Sequence, residues 1–258
     1  MLPILFAIEG GIATITLNRP DKLNSFNREM ALSLQEKLDE CAASPAIRCV
    51  LITGAGKGFC AGQDLAEVVD PNGPGMQRIL SEHYNPIISR IRNMPKPIVA
   101  AVNGVAAGAG ANIALACDIV VAAQSASFIQ AFSKLGLIPD SGGTFILPRL
   151  IGWQKASAIM MLGDKIPATL AEQWGMIYKV FSDDEFGVES NKIADTLSQM
   201  PTKGLAYTKH ALSYSMTNNL EEQLLLEDEL QQKAASTHDF KEGIQSFLEK
   251  RAPHFKGE

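Results

Sequence analysis

The acid that stands out in this chain is Asp140, within Gly136-Leu137-Ile138-Pro139-Asp140-Ser141-Gly142-Gly143-Thr144. Between Val102 and Trp153 the only other acid is Asp118, and the only bases are Lys134 and Arg149. A carboxylate in apolar surroundings holds its proton more tightly, because burial disfavours the charged form. Such a group can take up and return a proton near neutral pH. The same residue type also suits a helix N-cap, and Asp before Ser-Gly-Gly-Thr fits one. Residue type alone favours the cap, so any case for catalysis has to come from what surrounds Asp140.

Two glycine-rich stretches supply surroundings of the right kind. Gly58-Phe59-Cys60-Ala61-Gly62-Gln63-Asp64-Leu65 follows one apolar run, and Asn103-Gly104-Val105-Ala106-Ala107-Gly108-Ala109-Gly110 follows another. Small residues let a ligand approach the backbone closely. Unpaired N–H groups at a turn or helix start suit a developing negative charge. One N–H from each loop would make an oxyanion hole for a thioester enolate. Either loop alone reads more simply as close packing of glycine and alanine. Neither is a standard nucleotide motif. Gly54-Ala55-Gly56-Lys57-Gly58 has Leu51 where a phosphate loop needs its first glycine and Gly58 where it needs Ser or Thr. Gly108-Ala109-Gly110 has Ile113 where the dinucleotide motif needs a third glycine.

The elements around these loops read as α/β. Ile4 to Ile8 and Ile12 to Leu17, separated by Gly10-Gly11, predict a β-hairpin, with Ile15 and Leu17 alternating with Thr14 and Thr16. Ser25 is a candidate cap for a helix carrying Met30, Leu34, Leu38 and Cys41 at helical spacing. Three continuous apolar runs, Cys49 to Ile52, Pro97 to Val102 and Ile119 to Ala122, predict buried parallel strands. A helix over about Ala107 to Ala116 lies between the last two. Beyond Thr144 the chain turns helical, with amphipathic segments over Phe186 to Met200, Thr202 to Met216 and Leu220 to Ser236. A boundary near Gly163 to Pro167 divides residues 1–165 from 166–258, and Val69 to Gln77 reads as a mobile loop.

Composition narrows the function. Hydrophobic content of 46% with 20% charged residues is that of a globular chain large enough for a sizeable core. A net charge of −5 without any basic block argues against nucleic acid as a partner. The four cysteines form no Cys-x-x-Cys pair, so no metal site is expected, and their usage suits a reducing cytoplasm. No apolar run is long enough to span a membrane. His83, His210, His238 and His254 read as surface residues.

Taken together, five segments resemble the crotonase (enoyl-CoA hydratase/isomerase) family. They are Leu17-Asn18-Arg19-Pro20, Phe59 to Leu65, Ala101 to Gly110, Cys117-Asp118-Ile119 and Gly142-Gly143-Thr144. The resemblance covers essentially the whole chain. It implies a crotonase-like spiral of ββα units holding the CoA and catalytic sites in residues 1–165. It implies a helical C-terminal region, residues 166–258, that covers the CoA site and builds a homotrimer or hexamer. It implies an acyl-CoA ligand, with coenzyme A entering as part of the substrate, no separate cofactor, and pathway enzymes as possible partners. The oxyanion donors would be the N–H groups of Gln63 and Ala109. Lys22, Leu23, Ala61, Gln63, Asp64 and Leu65 would border the CoA moiety, and Tyr84, Asn85, Asn112 and Phe132 the acyl group.

The departures from the family matter as much. The two glutamates of family hydratases would fall at Asn112 and Phe132, and neither is acidic. Asn112 reads as packing against its helix, and Tyr84 reads equally as a helix-surface tyrosine. Asp140 falls where some family isomerases keep a working aspartate. Phe128 to Asp140, Tyr84-Asn85-Pro86, Trp174 to Ile177 and Phe247 to Pro253 are similar to isomerases of ring-epoxidised phenylacetyl-CoA. The expected reaction is therefore a proton shift through a thioester enolate, with Asp140 as base and then acid. Hydration, and non-catalytic acyl-CoA or RNA binding, remain the other readings.

Overall fold

The computed structural model describes residues 2–258. The chain opens on the expected hairpin, β1 (Ile4–Glu9) paired antiparallel with β2 (Ile12–Leu17), Ile4 opposite Leu17. Along β2, Ala13, Ile15 and Leu17 are fully buried while Ile12, Thr14 and Thr16 are half-buried. That alternation puts one face of the strand on the core.

Three turns of a spiral follow, each laying one strand in a large sheet and one in a small sheet. They are β3 (Cys49–Gly54) with β4 (Gly58–Cys60), β5 (Ile98–Val102) with β6 (Val105–Ala107), and β7 (Ile119–Ala123) with β8 (Ser127–Ile129). Helices return the chain after β4 and β6, the second being Ala109–Leu115. Two further short strands complete the sheets. β9 (Lys165–Pro167) pairs antiparallel with β8, and β10 (Lys179–Phe181) pairs parallel with β7. The six-stranded sheet runs β1-β2-β3-β5-β7-β10, and the four-stranded sheet β4-β6-β8-β9. The strand beyond residue 166 thus joins the large sheet before the chain becomes wholly helical.

The parallel strands are apolar throughout because both faces are covered. Val50, Ile52, Ile98 and Ala100 face the main core with Met30, Leu34 and Leu38 of helix Arg28–Ala43. Cys49, Leu51, Val99, Ala101 and Val121 face the other way, against Ala194 of helix Asp183–Gln199. Asp118, the other acid of the uncharged stretch, is committed to this framework. Its Oδ2 accepts from the Ile98 N–H and from the Lys209 ammonium, both at 2.8 Å. Lys209 is buried and lies on helix Thr202–Tyr214, so the pair ties the C-terminal helices to the sheet.

Several local expectations change. Helix Arg28–Ala43 is capped by Asn27, whose side chain accepts from the Met30 N–H, and not by Ser25. Ser25 lies outside the cap, its carbonyl taken by Arg19. Short helices Leu65–Val69 and Gly75–Arg78 take in the two ends of the stretch expected as a loop, and Asp70 to Pro74 between them is non-helical. His83 is fully buried, not at the surface. It lies in a one-turn π-helix, Ile79–Tyr84, that points it inward onto Arg28. Burial lowers its affinity for a proton.

Candidate active site

Gly62 and Gly108 bring the two glycine-rich loops together. Gly62 has φ of +91°, and a Cβ there would meet the Ala107 carbonyl at 2.9 Å and the Ala109 nitrogen at 3.6 Å. Gly108 has φ of +53° and ψ of −128°, a conformation L side chains resist, and its turn starts helix Ala109–Leu115. The residues after these glycines are Gln63 and Ala109. Phe26 bridges the Gln63 strand, its N–H donating to the Gly62 carbonyl at 2.7 Å and its carbonyl accepting from Asp64 at 2.8 Å. That pairing uses the neighbours of Gln63 and turns the Gln63 N–H to the opposite side. Among the described residues neither the Gln63 nor the Ala109 N–H has an acceptor. Two N–H donors from adjacent loops are thus left without a partner among the described residues. With a helix of only seven residues, the N–H group itself matters more than any summed dipole.

The Gln63 side chain is clamped. Its Oε1 accepts from the Tyr84 hydroxyl and its Nε2 donates to Glu67, both at 2.8 Å. Glu67 in turn accepts from the Arg28 N–H at 2.8 Å. Tyr84 is not a helix-surface residue: it is fully buried and meets Phe26 edge-on, ring centroids 5.9 Å apart. Burial, with Cys60, Asp140 and Glu67 nearby, holds its phenol well above the usual value. Asn85 begins the next helix, Asn85–Asn93, and is exposed.

Asp140 is half-buried, and burial raises its affinity for a proton, opposed by a 2.8 Å hydrogen bond from the Ser141 hydroxyl to Oδ1. No base pairs with this carboxylate among the described residues. Nor does the carboxylate cap a helix. Helix Gly143–Ile151 starts from Gly142 with no side-chain cap, and Asp140 contributes only its carbonyl, which accepts from the Gly143 N–H at 2.9 Å.

Asn112 and Phe132 flank this arrangement differently. Phe132 is buried, with its ring 3.7 Å from where a Gly108 Cβ would stand, beside the turn that starts helix Ala109–Leu115. Asn112 is 1% exposed. Its Nδ2 donates to the Asp140 carbonyl at 2.9 Å, and its Oδ1 accepts from Gln130 at 2.8 Å. It therefore sits behind the Asp140 loop. Gln130, Ser141 and Glu67 are the site residues that sequence reasoning passed over. A lone glutamine in the apolar run Phe128 to Phe132 was the only available signal.

The residues expected to border CoA lie near one another. Lys22 and Leu23 end a 3-10 turn, Pro20–Lys22, and the Leu23 carbonyl accepts from the Ala61 N–H at 2.9 Å. Lys22, Leu23 and Leu65 are exposed. Asp64 shapes the rim: it pairs with Arg19 at 2.8 Å and caps helix Leu65–Val69 through the Ala66 N–H. Partial burial pushes its pKa up, but the Arg19 and Ala66 hydrogen bonds hold it below the usual carboxylate range. No cluster of three or more His, Cys, Asp or Glu side chains fit for a metal occurs among the described residues. A large open cleft, about 920 Å³, lies elsewhere, between helices Thr202–Tyr214 and Leu220–Ala235, and shares no residue with this site.

Comparison with known proteins places the chain among its relatives. Residues 7–258 match the model of the enoyl-CoA hydratase/isomerase family. The 1,2-epoxyphenylacetyl-CoA isomerase of Escherichia coli (strain K12) is 49% identical over 257 residues, 98% of each chain. A probable enoyl-CoA hydratase of Rhodobacter capsulatus is 42% identical over 254 residues, again 98% of each. The crystal structure of an enoyl-CoA hydratase from Bacillus anthracis superposes with a TM-score of 0.93 at 32% identity, covering 99% of this chain and 100% of the other.

Proposed function

This chain belongs to the enoyl-CoA hydratase/isomerase family, and we propose that it is an isomerase of acyl-CoA thioesters that moves a proton along the acyl group through an enolate. One observation carries the reading. A half-buried carboxylate with no basic partner, Asp140, stands on a loop held by Asn112, from the same helix that begins with Ala109, and the N–H groups of Ala109 and Gln63 have no acceptor among the described residues. By the family resemblance, Phe132 and Asn112 fall where hydratases carry glutamates.

In the proposed reaction the thioester oxygen accepts from the Gln63 and Ala109 N–H groups. The Asp140 carboxylate removes a proton from the carbon alpha to the thioester. The C–H electron pair moves into the conjugated system, and negative charge collects on the thioester oxygen. Asp140, now protonated, returns that proton to the vinylogous carbon. In a 3-enoyl-CoA the double bond ends between the alpha and beta carbons, with every atom conserved. Such N–H donors are typically worth ~10²–10³ in rate each, and a positioned acid–base group ~10²–10⁴.

Likeness to the E. coli 1,2-epoxyphenylacetyl-CoA isomerase supports a ring-epoxidised phenylacetyl-CoA, rearranged to the oxepin, as the substrate. Phe132, beside the Gly108 turn, offers an aromatic neighbour to such an acyl group. Coenzyme A belongs to the substrate, its rim formed by Lys22, Leu23, Ala61, Gln63, Asp64 and Leu65. Exposed Leu212, Leu224, Leu225, Phe247 and Leu248 on the C-terminal helices suit a homotrimer or hexamer.

Hydration is the second reading, favoured by the relative from R. capsulatus. It needs a water held by groups other than glutamate. Incubating the protein with ring-epoxidised phenylacetyl-CoA and with a 3-enoyl-CoA, side by side, separates the two. Isomerisation gives a product of unchanged mass with new absorbance. A product heavier by one water, or loss of enone absorbance from a 2-enoyl-CoA, would assign hydration instead.

A further inference from the structure

We propose that the buried amide pair Asn112–Gln130 is a positioning device for Asp140, fixing where the base stands relative to the oxyanion donors. The proposal rests on the reading of Asp140 as the proton carrier.

Neither amide can reach a ligand readily, since Asn112 is 1% and Gln130 3% exposed. Their hydrogen bonds run in one direction: Gln130 Nε2 donates to Asn112 Oδ1 at 2.8 Å, and Asn112 Nδ2 donates to the Asp140 carbonyl at 2.9 Å. Gln130 therefore selects the orientation of the Asn112 amide. The opposite orientation would set Asn112 Oδ1 against the Asp140 carbonyl, oxygen against oxygen. The Asp140 carbonyl also accepts from the Gly143 N–H, so both its lone pairs are engaged.

The contact is tight as well as directional. A Cβ on Gly143 would come within 2.4 Å of Asn112 Nδ2, so the loop closes directly on the amide. Ser141, next to Asp140, is buried with φ of +51°, an unfavourable conformation that needs surrounding contacts to hold it.

What makes this a catalytic geometry is the helix that carries Asn112. Ala109 and Asn112 lie three residues apart on helix Ala109–Leu115, one turn from each other. One rigid element thus presents an oxyanion N–H at its first residue and grips the loop of the base at its fourth. Displacing either end changes the separation of base and oxyanion. Gln130 Oε1 has no partner among the described residues. A buried amide with an unsatisfied oxygen costs stability that an apolar side chain would not, and the positioning role gives that cost a purpose.

The test uses Gln130→Met, of similar length without the amide, and Asn112→Leu, of similar size. Each is compared with the parent and with Asp140→Asn on the CoA ester the parent isomerises. Both variants should lose kcat by about 10-fold or more, with KM within about 2-fold, because a misplaced base costs chemistry rather than binding. The double variant should be no worse than Asn112→Leu, since Gln130 acts through Asn112. If Asn112→Leu does not fold, Gln130→Met decides alone. Three results would overturn the proposal: kcat per folded enzyme near the parent's while Asp140→Asn is inactive, a lower unfolding temperature as the only change, or a loss confined to KM. Full turnover by Asp140→Asn is a distinct result, since it removes the underlying reading of the base.

Discussion

The Ser141 hydroxyl donates a 2.8 Å hydrogen bond to Oδ1 of Asp140, and it is the group that opposes the effect of burial on that carboxylate. Hydrogen bonding to the charged form favours ionisation, and burial disfavours it. In the proposed reaction Asp140 acts as a base only when ionised, so kcat/KM should rise with pH as it loses its proton. Ser141→Ala removes the opposing bond and should move that acid limb to higher pH. A pH–rate profile of the two proteins checks it, and an unmoved limb would mean that another group controls ionisation.

The same burial has a consequence for stability. The folded-state pKa of Asp140 is raised, so the folded protein binds this proton more tightly than the unfolded chain does. Its contribution is greatest below the unfolded value and is lost as pH rises towards the folded value. Above that the ionised carboxylate leaves the fold at its least stable with respect to this group. Asp140→Asn carries no charge and can still accept from Ser141. At neutral pH it should unfold at the same temperature as the parent or higher. A clear drop in the thermal midpoint would show that the carboxylate has a structural partner.

Gly62 tests the proposed oxyanion donors without touching Asp140. Its φ is +91°, and an added Cβ would press on the Ala107 carbonyl at 2.9 Å. A non-glycine residue in such a conformation costs about 1–3 kcal/mol, and the loops must part to admit it. Gly62→Ala should reduce kcat by roughly 10²-fold, the scale of losing one oxyanion donor. Calorimetric titration with a saturated acyl-CoA should show binding weakened far less. A variant as active as the parent would remove the Gln63–Ala109 pair from the mechanism.

How much of this was legible in sequence depended on range. The hairpin and the three parallel strands were readable because burial writes itself as alternation in β2 and as unbroken apolar runs in β3 and β5. Strands β9 and β10 were not, since three residues carry no period. Asp140 was legible by its isolation, and the Gln63 and Ala109 loops by their glycines. Asn27 rather than Ser25 is the cap because pairing of Phe26 with the Gln63 segment keeps the chain extended up to Asn27, a contact sequence cannot rank. His83 looked polar beside Glu82, yet the π-helix turns it onto Arg28. The Asn112–Gln130 and Tyr84–Gln63 bonds join residues 18 and 21 apart on different elements, and only the folded spiral brings them together.

Proton transfer by Asp140 can be followed directly in deuterium oxide. A 3-enoyl-CoA or ring-epoxidised phenylacetyl-CoA is incubated with the parent and with Asp140→Asn, and product and recovered substrate are examined by mass spectrometry and proton NMR. The parent should give an isomer, with deuterium at the alpha or vinylogous carbon wherever the carboxylate proton exchanges before its return. The reaction should be at least about 10²-fold slower in Asp140→Asn, the lower range for a positioned acid–base group, with binding of the CoA ester nearly unchanged. Isomerisation at the parental rate in Asp140→Asn would contradict proton transfer by Asp140.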